Sequence, residues 1–300
     1  MTPGPAGAPR AVGRTLLLGA GGQLGTDLAR ALAGAEVVAL GRRELDVTDA
    51  AALARVVADV APAVILNGTA FNRVDDAEAD PAPAFAVNAV AVHHLARLAA
   101  RHGARLVHVS TDYVFGGAGP GPYTEDAAPA PLNAYGVSKL AGEWCVRSAG
   151  PRHLVIRSSG LYGVAGSRGK GGNFVETMLR LAHEQKPIRV VDDQVLSPTY
   201  TADLAEAVVR LLAADPPGGL YHLTNGGACS WFEFARRIFD LCDLRPDLAP
   251  TSSAAFGARA RRPSNSVLAS TRLEALGLAP LRPWPEALAA YLAATGRLRR

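Results

Sequence analysis

Short apolar runs alternate along the chain with longer stretches whose apolar residues recur at helical spacing. Residues 15–18, 36–40, 64–67, 105–110 and 153–158 read as buried strands, with 220–223 as a further one. Between them, 24–33, 50–59, 84–102 and 135–150 read as helices; in the third, Val87, Val90, Leu95 and Leu98 fall near one face. Strands that are apolar throughout are covered on both faces, and a β-α-β-α succession joins parallel strands through helical crossovers. The expected fold is therefore α/β, a doubly wound parallel sheet. The last third is less regular. Residues 173–185 and 200–212 read as helices. Ser230 with Glu233, and Thr271 with Glu274, have capping-box spacing; the first opens a helix to 241 and Gly277 closes the second. Pro- and Gly-rich stretches at 116–131, 163–172 and 245–263 read as loops. The expected organisation is a floppy leader at 1–13 and a main domain at 14–162, to which 196–225 returns. Residues 163–195 and 226–300 then form a small interleaved C-terminal lobe over the sheet's carboxyl edge.

Composition narrows the class. The 300 residues are 49% hydrophobic and 19% charged, enough for a sizeable core and unlike a disordered chain or a solvated coiled coil. The net charge of +4 is small, and its local clusters are Arg42-Arg43, 259–262 and 297–300, so no nucleic-acid partner is expected. No run approaches the roughly 18–20 apolar residues of a membrane span. The leader lacks an apolar signal core, because the run at 16–18 stops at glycines. A cytoplasmic protein without a membrane partner is expected. Cys145, Cys229 and Cys242 show no CxxC spacing, which suggests reduced thiols. The seven histidines form no ligand ladder, and His93-His94 point about 100° apart on a helix, so no metal site is expected.

Gly19-Ala20-Gly21-Gly22-Gln23-Leu24-Gly25 follows the first strand and opens the first helix. Glycines at the first, fourth and seventh positions let backbone approach a pyrophosphate, and the helix N-terminus offers free N–H groups. This is the context of a Rossmann-type dinucleotide site, which makes 14–162 the dinucleotide-binding domain. After the second strand, where a carboxylate for the ribose diol is usual, stands Gly41-Arg42-Arg43. Arg42 there either pairs with a 2′-phosphate or is a solvated strand-end residue. Asp46 falls near the adenine edge, while Asp49 is placed to cap the next helix.

Tyr135 and Lys139 are four residues apart, one turn along one helix face. A tyrosine pKa of about 10 is too high for acid–base work at neutral pH, and a nearby ammonium lowers it. Ser110-Thr111-Asp112-Tyr113 ends a strand in the same half of the fold and offers a hydroxyl to polarise a carbonyl. Asn88 interrupts the long preceding helix, where it could line a proton relay, and Asn67 ends the strand before it. Together these describe hydride transfer with a tyrosine as proton donor.

The glycine turn, the Asn67 segment, STDYVF at 110–115 and YGVSK at 135–139, in this order, resemble the extended short-chain dehydrogenase/reductases. GGQLG at 21–25, NRVDDAE at 72–78, PLNAYGVSKLAGE at 131–143 and GGNFVETMLRLA at 171–182 narrow the resemblance to the dTDP-4-dehydrorhamnose reductases. GLYHLTNGG at 219–227 and RRPSNSVLAS at 261–270 extend it across nearly the whole chain. The resemblance implies NAD(P)H-dependent reduction of the C4 ketone of a dTDP-4-dehydro-sugar, with NADPH as cofactor and NADH also usable. It implies Tyr135 as proton donor and Lys139 as its electrostatic partner, both also touching the cofactor. Thr111 stands where other members often use Ser. Gly19, Gly22, Gln23 and Leu24 match the pyrophosphate turn, and Asp46 and Val47 the adenine side. Ala70 and Tyr113 lie along the nicotinamide and sugar, and Asn173 and the 262–265 stretch, with Arg262, approach the nucleotide diphosphate. Lys170 is a further cation in those loops.

Two departures stand out. Some members place a Trp over the sugar where this chain has Gly160, so stacking is expected from Tyr162 or Tyr113. Some members dimerise through a magnesium bound by glutamates; Asp27 falls near one such position, but 297–300 has no carboxylate, so structural magnesium is not expected. A homodimer stays open. Two alternatives also stay open: reduction of a related dTDP-deoxyhexulose, and a non-catalytic NADP-binding regulatory subunit.

Overall fold

The computed structural model describes residues 13–119, 121–166 and 172–299. Nearly all of the expected leader, and Lys170, lie outside these residues. Five strands follow in chain order: β1 (Thr15–Leu18), β2 (Val37–Leu40), β3 (Val64–Asn67), β4 (Arg105–Thr111) and β5 (Leu154–Ser158). Short strands β6 (Leu161–Tyr162), β7 (Ile188–Val191), β8 (Val195–Leu196) and β9 (Thr199–Tyr200) precede β10 (Gly219–His222), and β11 (Cys229–Ser230) and β12 (Leu248–Thr251) come last. The central sheet has the order β10-β5-β4-β3-β1-β2, and every pairing in it is parallel. Three two-stranded ribbons, β11-β8, β12-β7 and β6-β9, lie outside it.

The helices are α1 (Gln23–Ala31), α2 (Ala50–Val60), α3 (Val74–Ala79), α4 (Ala82–Phe85), α5 (Ala91–Arg101) and α6 (Ala134–Ala149). After them come α7 (Phe174–His183), α8 (Thr201–Ala213), α9 (Trp231–Leu241), α10 (Ser253–Phe256), α11 (Thr271–Ala275) and α12 (Trp284–Ala294). Because successive residues of a strand face opposite sides, Leu17 packs with Leu28, Leu204 and Val208 under α1 and α8. Its neighbours Leu16 and Leu18 pack with Leu53 and Leu95 under α2 and α5. A third core, built on Val175, Ile188, Phe234 and Tyr291, holds α7, α9 and α12 together.

Three expectations are corrected, and one element is new. The single helix at 84–102 is instead α4, a π-helical turn at Ala86–Val90, and α5. The wide turn accommodates buried Asn88, whose amide pairs with both backbone groups of Phe71 at 2.9 Å and donates to Ser138 Oγ at 3.0 Å. Such turns cluster at functional sites. Gly142 of α6 packs on it so closely that a Cβ there would stand 2.2 Å from the Asn88 carbonyl oxygen. Thr271 is not a cap: Ser270 holds that position, and the Thr271 hydroxyl donates to Glu125 at 2.6 Å. The 245–263 stretch contains β12 and α10. Residues 74–79 form α3, a helix the apolar pattern does not show.

Candidate active site

The glycine turn leaves β1 and enters α1. Gly19 has φ +83°, and a Cβ on it would stand 3.0 Å from the backbone of Gly68 and Thr69. A Cβ on Gly25 would stand 2.1 Å from the Gly19 oxygen, so helix and turn touch only because it is glycine. The cap of α1 is Gly22, with no side-chain cap bond. The first-turn N–H groups, those of Gln23 and Leu24 included, lack an intrahelical partner and face outward from a positive helix end. The Leu24 side chain itself is core. Gln23 donates to the Leu161 carbonyl at 3.1 Å, while its Oε1 is buried without a partner. A cradle closed to Cβ atoms and rich in free N–H groups fits a dinucleotide pyrophosphate.

Past β2, Arg42 and Arg43 are exposed, and the Glu44 carboxylate accepts from Gly41 N–H at 2.8 Å. A carboxylate thus stands at the strand end beside the two arginines. Asp46 accepts from the Thr48 hydroxyl at 2.7 Å, and its hydrogen bonds to Thr48 hold its pKa below the usual carboxylate value. Asp49 accepts from Ala51 N–H and Ala52 N–H and caps α2. Val47 packs against the core, and Ala70 is exposed beyond β3.

Asn133 caps α6 by accepting from Gly136 N–H at 2.8 Å, which places Tyr135 in the first turn and Lys139 one turn on. Gly136 lets the helix start lie against the Tyr113 carbonyl, since a Cβ would stand 2.3 Å from that oxygen. The Tyr135 ring meets Tyr113 edge-on, 6.0 Å between centroids, and its phenol faces Thr111 closely enough for that hydroxyl to favour the phenolate. Burial nevertheless raises the Tyr135 pKa above that of a free tyrosine, and Asp112 adds to the rise. The Thr111 hydroxyl donates to Asp112 at 3.0 Å and accepts from Tyr113 N–H at 3.2 Å. Asp112 is buried and also accepts from Ser159 at 2.8 Å and Ser266 at 2.6 Å; burial raises its pKa against these three hydroxyls.

Lys139 is almost wholly buried. Its Nζ donates to the Val109 carbonyl at 2.6 Å, and burial lowers its pKa to about 8 although Glu143 opposes the shift. The expectation that its ammonium depresses the Tyr135 pKa is therefore corrected for the unliganded protein: the amine points at the sheet, and burial of the phenol dominates.

One cavity of about 410 Å³ joins the two motifs, reaching from Gln23 to Thr111, Tyr113 and Tyr135 at the carboxyl ends of the sheet. Its far wall comes from the C-terminal part of the chain: Asn173 and Phe174 at the start of α7, Trp231 at the start of α9, and Gln194 and Leu196. Ser158, beside Thr111 across the β4–β5 pairing, also lines it, with a buried hydroxyl that has no partner. Sequence reasoning passed over Ser158, although its place at a strand's carboxyl end was a usable signal. Nothing in the sequence distinguished Phe174, Gln194 or Trp231 from core residues.

Other expected residues are differently engaged. The Asn173 amide caps α7 through Glu176 N–H and donates to the Gly163 carbonyl and to Tyr291. Arg262 makes two contacts with Asp75, the shorter 2.7 Å, and Tyr113 lies close enough to it to help raise its pKa. Tyr162 cannot stack on a sugar: it is fully buried among Tyr200, Phe234 and Tyr291. Gly160 has φ +55°, which an L side chain rarely adopts, and a Cβ there would stand 2.6 Å from the Leu196 side chain, so an aromatic residue at that place would be strained and would have to displace Leu196. Asp27 is buried and committed to Arg30 at 2.7 Å and Thr201 at 2.5 Å.

The family profile described as RmlD substrate binding domain matches residues 13–297. A dTDP-4-dehydrorhamnose reductase of Mycobacterium tuberculosis is 45% identical over 288 residues, covering 94% of this chain and 93% of that one. A dTDP-4-dehydrorhamnose reductase of Streptomyces griseus is 43% identical over 296 residues, 96% of each chain. The crystal structure of dTDP-4-dehydrorhamnose reductase from Bacillus anthracis, in complex with NADP, superposes with a TM-score of 0.89 at 37% identity, covering 94% of this chain and 99% of that one.

Proposed function

The chain belongs to the RmlD substrate binding domain family, and on that premise we propose that it is a dTDP-4-dehydrorhamnose reductase. It reduces the C4 ketone of dTDP-4-dehydro-β-L-rhamnose with NADPH, and Tyr135 is the proton donor. The observation that carries this reading is the single cavity in which Gln23 of the glycine turn, the Thr111–Tyr135 pair and the aromatic wall of Phe174 and Trp231 meet. A cofactor, a ketone and a nucleotide need one connected space, and this one offers each a fitting wall.

The nicotinamide, when bound, would supply the hydride. The residues supply position and the proton. Gly19, Gly22 and the N–H groups of Gln23 and Leu24 would hold the pyrophosphate, and Arg42, Asp46, Val47 and Ala70 flank the rest of that track. Burial keeps the Tyr135 phenol protonated at neutral pH, as a donor must be. Thr111, whose hydroxyl faces the phenol, orients it. Tyr113 and Ser158 border the sugar. Residues 163–195 and 226–300 serve as the substrate lobe, reading the nucleotide through the N-terminus of α7, whose cap Asn173 already fixes, and through Arg262 once it is released from or shared with Asp75. Among the described residues, no helix is long and apolar enough to cross a membrane and no cluster of His, Cys, Asp or Glu could hold a metal ion. Action in the cytoplasm on a nucleotide sugar completes the reading.

Two results follow. Free dTDP will compete with the sugar nucleotide, because the diphosphate and base occupy the lobe whether or not the sugar is attached; steady-state inhibition without competition at millimolar dTDP would contradict the placement. Cofactor preference will be modest. Arg42 can pair with a 2′-phosphate, but exposure and salt weaken that contact and Glu44 stands nearby, so kcat/KM will favour NADPH over NADH by about tenfold. Arg42→Ala will remove most of the preference. Equal kcat/KM values in the unaltered protein would rule out this role, and a preference surviving Arg42→Ala would move it to Arg43.

A further inference from the structure

Lys139 has a neighbour that the reaction scheme does not use. Asn67 on β3 and His108 on β4 are register partners, so their side chains stand together on the sheet face that α6 covers. Both are buried. The Asn67 amide has only one possible orientation: its Oδ1 accepts from Thr69 N–H at 3.1 Å and from the Thr69 hydroxyl at 2.6 Å. Its Nδ2 therefore faces His108 Nδ1, 3.1 Å away, and donates to it. A neutral imidazole whose Nδ1 accepts must carry its proton on Nε2. That Nε2 stands 3.4 Å from Lys139 Nζ.

An Nε2–H facing an ammonium sets two donors against each other. Facing an uncharged amine, it meets a lone pair, and one amine N–H still serves the Val109 carbonyl. We propose that Asn67 and His108 form a positioning pair that holds Lys139 toward its uncharged form in the unliganded protein. Burial acts in the same direction on both partners, holding His108 neutral and lowering Lys139. The other titratable groups near Lys139 do not reverse this. Glu143, one turn on, favours the ammonium, but its oxygens are taken by Arg157 at 2.9 and 2.6 Å and by Ser110 at 2.5 Å. Tyr135, one turn back, is protonated. Drawing the proton off Lys139 weakens the pull toward phenolate that a fixed ammonium would exert, and with a midpoint near pH 8 that pull fades as the pH rises through 8. The consequence for catalysis rests on the reaction assigned above; the protonation state itself does not.

The chain has three lysines, Lys139, Lys170 and Lys186, so NMR of protein labelled at lysine Cε and Nζ reads Lys139 directly once Lys139→Arg identifies its signal. In the unliganded protein Lys139 will titrate near pH 8. His108→Gln, which can turn a carbonyl to the amine, will raise that midpoint by a unit or more, tenfold in the protonation equilibrium. Asn67→Asp keeps an acceptor for Thr69 but draws the ring proton to Nδ1, turning Nε2 into an acceptor; it will raise the midpoint too, and serves if His108→Gln does not fold. A merely structural role for His108 would lower the melting temperature and leave the Lys139 midpoint in place, and that result would overturn the proposal. The titration uses neither cofactor nor sugar, so it fails or succeeds independently of the reaction.

Discussion

Tyr135→Phe will leave the fold intact and lower turnover by about 10²–10⁴-fold, the usual worth of a general acid. The substitution deletes one hydroxyl and keeps the ring that packs edge-on against Tyr113. What is lost is the proton that burial keeps on the phenol facing Thr111. Cofactor binding will persist, because the glycine turn is untouched. A purified variant with an unchanged melting temperature that retained more than half the original rate would remove Tyr135 from the chemistry.

Arg157→Met will destabilise the protein by about 3–5 kcal/mol, the cost of leaving a buried carboxylate without its partner. Arg157 of β5 and Glu143 of α6 are both about 2% exposed and meet through two hydrogen bonds, with the guanidinium 4.9 Å over the Phe115 ring. Glu143 also accepts from Ser110, the residue before Thr111, so the ion pair ties α6 to the strand end that carries the site. The melting temperature will fall by roughly 10 °C. Glu143→Gln made in the same chain will recover much of the loss, because a neutral amide is cheaper to bury than an unpaired charge. A single-variant loss under about 1 kcal/mol would show that Glu143 reaches water or another partner.

The parallel sheet was legible because β1, β3, β4 and β5 are built around short apolar runs, each followed by a helical stretch, the alternation that a doubly covered sheet produces. The glycine turn and the Tyr135–Lys139 spacing were legible because each is local: a backbone approach and one helical turn. Contacts between distant segments were not. Thr271 has the spacing of a cap, yet its hydroxyl goes to Glu125, 146 residues away, and Ser270 stands at the cap position without a side-chain cap bond. Arg262 reads as a free cation until Asp75, 187 residues away, is seen to hold it. Tyr162 reads as a sugar platform until the aromatic cluster of the second lobe encloses it. The π-helical turn follows from Asn88 bonding to Phe71 across the chain in place of a regular helix, and periodicity carries no trace of that choice. Whether Lys139 points at the cofactor or at the sheet depends on His108 and Val109, which a strand pattern shows only as alternating positions.

The central claim is that one chain brings cofactor, ketone and proton together. The direct measurement is NADPH consumption by the purified protein supplied with dTDP-4-dehydro-β-L-rhamnose, with the sugar product identified. The account predicts stoichiometric oxidation of NADPH and formation of dTDP-L-rhamnose, both suppressed by Tyr135→Phe. No oxidation with folded, NADP-binding protein, or oxidation only with a different dTDP-deoxyhexulose, would contradict it.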